Sequence, residues 1–267
     1  LQWKVVKENG GYKYISHFKL DRPKDNDTNL IFRDMPLDIF KTFIALSKEY
    51  YPELTFAIAL QAYAGLRPGE ICNVRQAIDT RGENGEGGVS YQLQGNKLRY
   101  FRINLDREYP MRADLKDVGR IKKHRKQDVY SPYLQEIHEL YKRHMEILEE
   151  YSFEDGYYPM FPNDDGVAIT VKSYREKIQR LANIYLRKVL IESNNKTFRF
   201  YGELLLSHKL SPHFLRHFFT VRLVLDNLPP HTIAELRGDS RLDTALIYCR
   251  HKQELNDALL GVNAQIV

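Results

Sequence analysis

The segment Leu54 to Ala64 is almost wholly apolar and ends in Gly65-Leu66-Arg67-Pro68. A run of that length closed by Gly and Pro reads as a buried helix, with Gly65 as its stop and Pro68 at the first turn of the next helix. Other apolar elements must cover it, and the sequence provides them. From Pro36, residues Ile39, Phe40, Phe43, Ile44 and Ser47 recur at helical spacing. Leu134, Ile137, Tyr141, Met145 and Leu148 mark one amphipathic helix, and Tyr174, Ile178, Leu181, Tyr185 and Val189 another. Further helical segments are expected near 211–226, 230–236 and 241–262. Between Arg81 and Val129 the pattern changes to Gly-rich turns and short runs, Val89 to Leu93 and Leu98 to Leu105, which read as strands of a small antiparallel sheet. A basic stretch then interrupts it. The expected fold class is mainly α with a small antiparallel β-sheet (α+β), and 43% hydrophobic residues in 267 suffice for one substantial core.

Residues 1–30 combine short apolar pieces (Trp3, Val5, Val6, Tyr12, Tyr14, Ile15) with Gly10-Gly11 and a polar run, Asp21 to Asn29, that reads as a linker. The expected division is therefore 1–30, an N-terminal segment, and 31–267, the principal domain. The chain begins at Leu1, which suggests a piece of a longer protein. No stretch approaches the roughly 18 apolar residues of a membrane span, and the N-terminus lacks a signal-peptide core, so a cytoplasmic location is expected. Two cysteines, Cys72 and Cys249, make neither a disulfide framework nor a zinc site by themselves, and no metal or cofactor is expected. Lys and Arg outnumber Asp and Glu by 40 to 35, a balance that fits a polyanionic partner without naming it.

Chemistry-bearing residues fall into three segments. In Gly65-Leu66-Arg67-Pro68-Gly69-Glu70 a cation meets a helix start, and a carboxylate three residues on can tether it or cap the helix. A surface ion pair of small worth is the plain alternative. In Ser211-Pro212-His213-Phe214-Leu215-Arg216-His217, Ser caps, Pro takes the first turn, and His213 and Arg216 share a face. Free backbone N–H groups, the helix dipole, an imidazole and a guanidinium would converge there on a phosphate-sized anion. A capped core helix is the competing reading. The third segment, Thr244 to Arg250, follows Leu236-Arg237-Gly238-Asp239-Ser240 and holds Tyr248, one of 18 tyrosines and by itself undistinguished.

Taken in order, these segments resemble the tyrosine recombinase family, whose catalytic domain carries a Gly-Leu-Arg-x-x-Glu box, a His-x-x-Arg box and a terminal Tyr. The likeness runs from about residue 36 to the C-terminus and makes 31–267 a catalytic domain, with 1–30 a remnant of an upstream DNA-binding domain or a linker. It implies Arg67, His213, Arg216 and Tyr248 as catalytic, with Glu70 supporting. A family lysine on a β-hairpin falls on Lys122, counting back from Val129, with Lys116 and Lys123 as rivals. Lys116, Arg120, Lys123, Arg125, Lys126, Lys172 and Arg175 would contact DNA phosphates, a solvated charge run being the bland alternative. One position departs from the pattern: Asp239 stands where the family usually has His or Trp. It is a natural variant, an engineered substitution, or an Asp turned away to hold Arg216 or His217.

The resemblance implies site-specific recombination or integration of double-stranded DNA through a 3′-phosphotyrosine intermediate, without metal. It also implies a homo-oligomer, a tetramer on DNA, that exchanges a C-terminal helix; Glu254, Leu255, Ala258, Leu259, Leu260 and Val262 would form that helix or pack it in cis. Rival readings are a type IB topoisomerase-like enzyme, a DNA-binding protein that keeps the fold but no longer cuts, and a helical protein in which the boxes are coincidental.

Overall fold

A computed structural model of the chain describes residues 3–8, 11–16, 35–154, 156–239 and 242–250. The chain divides into two units, Leu1–Phe32 and Arg33–Val267. In the first, β1 (Trp3–Glu8) and β2 (Gly11–Ser16) form an antiparallel hairpin, Trp3 opposite Ser16 and Glu8 opposite Gly11. Its sequence signal is the Asn9-Gly10 pair between two β-prone runs, a strong two-residue hairpin signature that a reading of short apolar pieces passes over. The expected linker, Asp21 to Asn29, lies outside the described residues.

The second unit is built around the apolar run. Helices α1 (Leu37–Tyr50) and α2 (Pro52–Tyr63) follow one another with only Tyr51 between them, and every residue of α2 from Leu54 to Tyr63 is buried. α1 contributes Ile39, Phe40, Phe43, Ile44 and Leu46 to the core. α4 (Leu134–Leu148) and α8 (His213–Leu225) cover the remaining faces of α2. Phe56 meets the rings of Phe101, Tyr141, His144 and Phe161. On the other side Phe40 stacks on Phe218 at 4.2 Å between centroids. A polar residue inside such a helix must find partners, and Gln61 finds two. Its amide donates to the Pro212 carbonyl at 3.2 Å and its Oε1 accepts from the Tyr174 hydroxyl at 2.7 Å.

The sheet has three strands, β3 (Val89–Gln94), β4 (Lys97–Leu105) and β5 (Arg125–Asp128), antiparallel in that order. The third strand comes out of the basic stretch expected only to interrupt the sheet. Arg125 faces Leu105 and Asp128 faces Arg102 across the ladder, and Arg102 and Asp128 form an ion pair at 2.6 Å in that register. Between these elements lies the short α3 (Pro68–Ile71). After the sheet and α4, α5 (Val171–Arg180) runs through a wide π-helical stretch, Leu181–Leu186, into α6 (Arg187–Ile191). Asn183 within it donates to the carbonyls of Gln179 and Leu210, both at 2.9 Å, and accepts from the Leu210 N–H at 2.8 Å. α7 (Lys196–Ser207) is a helix that periodicity does not mark, since its apolar residues run nearly consecutively and Phe200 and Leu206 are exposed. α9 (Pro230–Arg237) and α10 (Asp243–Arg250) follow α8; beyond Arg250 the expected helix lies outside the described residues. No helix among the described residues is long and apolar enough to cross a membrane.

Gly65 joins α2 to the Arg67 segment with φ at +64°, and a β-carbon there would run into the Phe219 ring. Gly65→Ala combines a left-handed backbone with overpacking and should cost about 3 kcal/mol of unfolding free energy, measured by urea denaturation; a cost below about 1 kcal/mol would mean that α8 yields there.

Candidate active site

Arg67 is extended (φ −79°, ψ 154°) immediately before α3, a short helix opened by Pro68. Its backbone N–H donates to Glu70 Oε2 at 2.9 Å and its Nη1 to Glu70 Oε1 at 3.0 Å. Glu70 is completely buried, and its second partner arrives from β5: Arg125 grips both carboxylate oxygens, Nη1 and Nη2 each at 3.0 Å. Burial alone would push the Glu70 carboxyl up, but hydrogen bonds and charge from Arg125, followed by those of Arg67, hold it below the usual carboxylate range. Arg125, expected to contact DNA phosphate, is thus a brace beneath Arg67. The loop before β5 is pinned by Asn73, whose amide donates to the Gly69 and Gly119 carbonyls at 2.7 and 3.1 Å. Gly119 packs so closely that a β-carbon on it would come within 2.6 Å of Gly69 Cα.

Arg216 projects from α8 into the same corner, almost fully buried. It donates to the Gly65 carbonyl through Nη1 and, through Nη2, to the Arg237 carbonyl at 2.8 Å. Gly238, left-handed at φ +62°, ends α9 and turns the chain so that Asp239 faces this corner. Asp239 Oδ1 accepts from Arg67 Nη2 at 2.8 Å and Arg216 Nη2 at 2.7 Å. Its Oδ2 accepts from Arg237 Nε at 2.6 Å, and Arg237 also donates to Thr220 Oγ1. Asp239 therefore does hold Arg216, and with it Arg67 and Arg237. Burial opposes its charge, but Arg237, Arg216 and Arg67 keep its carboxyl below the ordinary range. The converse holds for Arg216, which burial and then the charges of Arg237 and Arg67 push down, while Asp239 and Glu70 act against the shift.

Tyr248, on α10, is buried, and its hydroxyl meets Nδ1 of His217. The Arg237 guanidinium lies 5.9 Å from the Tyr248 ring centre. His213 opens α8 and is exposed; the imidazole at the tyrosine hydroxyl belongs to the residue after Arg216 instead. Among the candidate lysines, Lys123 reaches the Asp239 carbonyl at 3.5 Å, Lys122 is exposed, and Lys116 pairs with Asp114 at 3.2 Å. Arg120 and Arg175 are exposed, Lys126 bonds Glu86 at 2.7 Å, and Lys172 lies 4.0 Å from Glu176. The sequence reading missed Arg237, His217 and Thr220 as members of this corner. Arg237 sits just before a glycine turn and His217 just after a boxed arginine, but neither position carries a chemical signal until the helices are packed. Among the described residues no cluster of His, Cys, Asp and Glu could hold a metal ion.

The Glu70 and Asp239 carboxyls are both held below the usual carboxylate range in the fold, so the stability they supply is complete above the ordinary carboxylate pKa of about 4 and is lost as pH falls through the lowered values. Glu70→Gln leaves Arg125 without its buried counter-charge and Arg67 with Asp239 alone, and should cost about 3 kcal/mol at neutral pH. Urea denaturation between pH 3 and 7 checks this: the variant's stability should fall less steeply in acid than that of the parent chain, and parallel profiles would contradict the assignment.

No family sequence model matches the chain, and no curated protein matches it. Solved structures do. The chain is similar to the Tn1549 transposon integrase in complex with circular intermediate DNA, with a TM-score of 0.52, 21% identity and coverage of 80% of this chain and 60% of that one. It is similar to the XerH site-specific recombinase bound to palindromic difH substrate in a post-cleavage complex, with a TM-score of 0.55, 17% identity and coverage of 87% and 54%. XerA recombinase gives a TM-score of 0.50, 16% identity and coverage of 81% and 58%. The chain thus spans between 54% and 60% of the length of these neighbours. In its backbone, mainly helical with one small antiparallel sheet, the chain has the fold of the tyrosine recombinase catalytic domain.

Proposed function

We propose that this domain cuts and rejoins DNA by phosphoryl transfer to Tyr248, the chemical step of site-specific recombination. The observation that carries the reading is the convergence of Arg67 and Arg216, far apart in sequence, on a single anionic oxygen at 2.8 and 2.7 Å, in a corner where Arg237 lies between that anion and the ring of Tyr248. Two guanidiniums that grip one carboxylate oxygen are equally suited to the non-bridging oxygens of a phosphodiester, whose charge grows during displacement. The neighbours with this fold include an integrase and a recombinase held in complexes with DNA, which supports DNA as the substrate.

In this mechanism the Tyr248 oxygen attacks phosphorus, the bond to the 5′ oxygen breaks, and the tyrosine becomes esterified to the 3′ phosphate. The phenolic proton passes to His217 Nδ1, which already contacts the hydroxyl; a free phenol with an acidity near pKa 10 needs such help at neutral pH. His213, at the start of α8, donates to a phosphate oxygen. A lysine of the loop before β5 returns a proton to the leaving 5′ hydroxyl. Lys123, beside Asp239 at 3.5 Å, is better placed for this than Lys122. Attack by a second 5′ hydroxyl reverses the steps and seals the strand without an energy cofactor. Lys116, Arg120, Lys126, Lys172 and Arg175 contact flanking phosphates, and the assembly on DNA is a tetramer joined through C-terminal helices; the residues of that helix, Glu254 to Val262, lie outside the described part. In location the protein is cytoplasmic and DNA-associated.

A second reading, a DNA-binding protein that no longer cuts, has one observation in its favour: the arginine seat is filled by Asp239. Nicked duplexes made from the DNA flanking the coding sequence separate the two. The parent chain should give a covalent protein–DNA band on a denaturing gel and Tyr248→Phe none. Salt-sensitive binding without a band from either would support the non-cutting reading. In single-turnover form the same assay tests the proton acceptor: His217→Phe should slow band formation by about 100-fold or more while leaving duplex affinity unchanged, and a parental rate would remove His217 from the chemistry.

A further inference from the structure

Asp239 is bound in an uneven way. Oδ2 is held locally, by Arg237 two residues earlier, itself buried and anchored on Thr220. Oδ1 instead receives two guanidiniums from distant parts of the chain, Arg67 and Arg216. The corner as a whole gathers the guanidiniums of Arg67, Arg125, Arg216 and Arg237 around the carboxylates of Glu70 and Asp239. Positive charge is therefore in excess, and a singly charged phosphodiester can join the group without expelling Asp239 from it. Glu70 cannot be the group that yields, because it is completely buried and gripped on both oxygens by Arg125. The Asp239 side chain is 15% exposed and lies at the turn made by Gly238, so one of its oxygens can be exchanged from outside.

Resting on the phosphoryl-transfer reading, we propose that Asp239 is a built-in stand-in for the phosphate: it keeps Arg67 and Arg216 aimed at one point and surrenders its Oδ1 contacts to an incoming phosphodiester while Arg237 retains it through Oδ2. Asp239 is on this account a positioning residue and Arg237 its anchor. Pre-aimed arginines need no reorganisation when the substrate arrives; in return, the anion must take over the Oδ1 contacts of Asp239 before it is bound, which weakens the encounter.

The experiment uses a generic 30-base-pair duplex and, separately, inorganic sulfate as probes of the full chain. Asp239→Asn keeps the shape and removes the charge. It should bind the duplex more tightly than the parent at low salt, because no carboxylate then competes with the phosphate for Arg67 and Arg216. Sulfate should raise its melting temperature more than the parent's, because an anion seat has been vacated. Glu139→Gln, which removes an equal charge on the exposed face of α4, should change neither. If Asp239→Asn does not fold, Asp239→His carries the same expectations. A folded Asp239 variant whose duplex affinity and sulfate response both match the parent's overturns the proposal. A sulfate response without any duplex binding keeps Asp239 in this role and overturns DNA as the occupant instead.

Discussion

A helical core that is apolar almost throughout has one corner into which guanidiniums are drawn, and their neutralisation governs what surrounds it. Buried positive charges repel each other in a low-dielectric setting and need matched anions held in hydrogen-bond geometry. Glu70 answers for Arg125 and Arg67, Asp239 for Arg216 and Arg237, and Arg67 bridges the two carboxylates. Four separate parts of the chain are tied together by these charges: the segment after α2, strand β5, helix α8 and the end of α9. Stability and site geometry thus rest on the same atoms.

That arrangement explains what could be read from the amino-acid sequence and what could not. The buried helix α2 was legible because an uninterrupted apolar run has few other homes, and α4 because its apolar stripe is cleanly periodic. Arg67, Arg216 and Tyr248 stand out in the sequence through ordered boxes rather than through their chemistry, and the fold brings the two arginines together on Asp239 and the tyrosine to His217. The pairing of Arg125 with Glu70 is not legible because, in a run of Lys and Arg, nothing local distinguishes the cation that turns inward to a buried glutamate from those that stay in solvent. β5 was hidden for the same reason, since a strand made of Arg, Lys, Gln and Asp looks like a charged loop until Arg102 supplies a cross-strand partner. His217 and Arg237 acquire meaning only when α8, α9 and α10 come together. Asp239 does hold Arg216, but it faces into the arginine corner rather than turning away from it, a placement no sequence pattern reveals.

The segment leading into α8 shows how buried amides can act at a distance. Gln61 from α2 takes hold of the Pro212 carbonyl, and Asn183 from the π-helical stretch takes hold of both the N–H and the carbonyl of Leu210. Two side chains on different helices thereby fasten residues 210 to 212 at either end. One residue more or fewer in this connection would turn α8 by about 100° and shift it by about 1.5 Å, carrying Arg216 out of its corner and His217 away from Tyr248. The two clasps therefore fix the length of this connection: an insertion between Leu210 and Pro212, both buried, would break one of them, whereas one at residues 208–209, between α7 and the Asn183 clasp, would leave both in place.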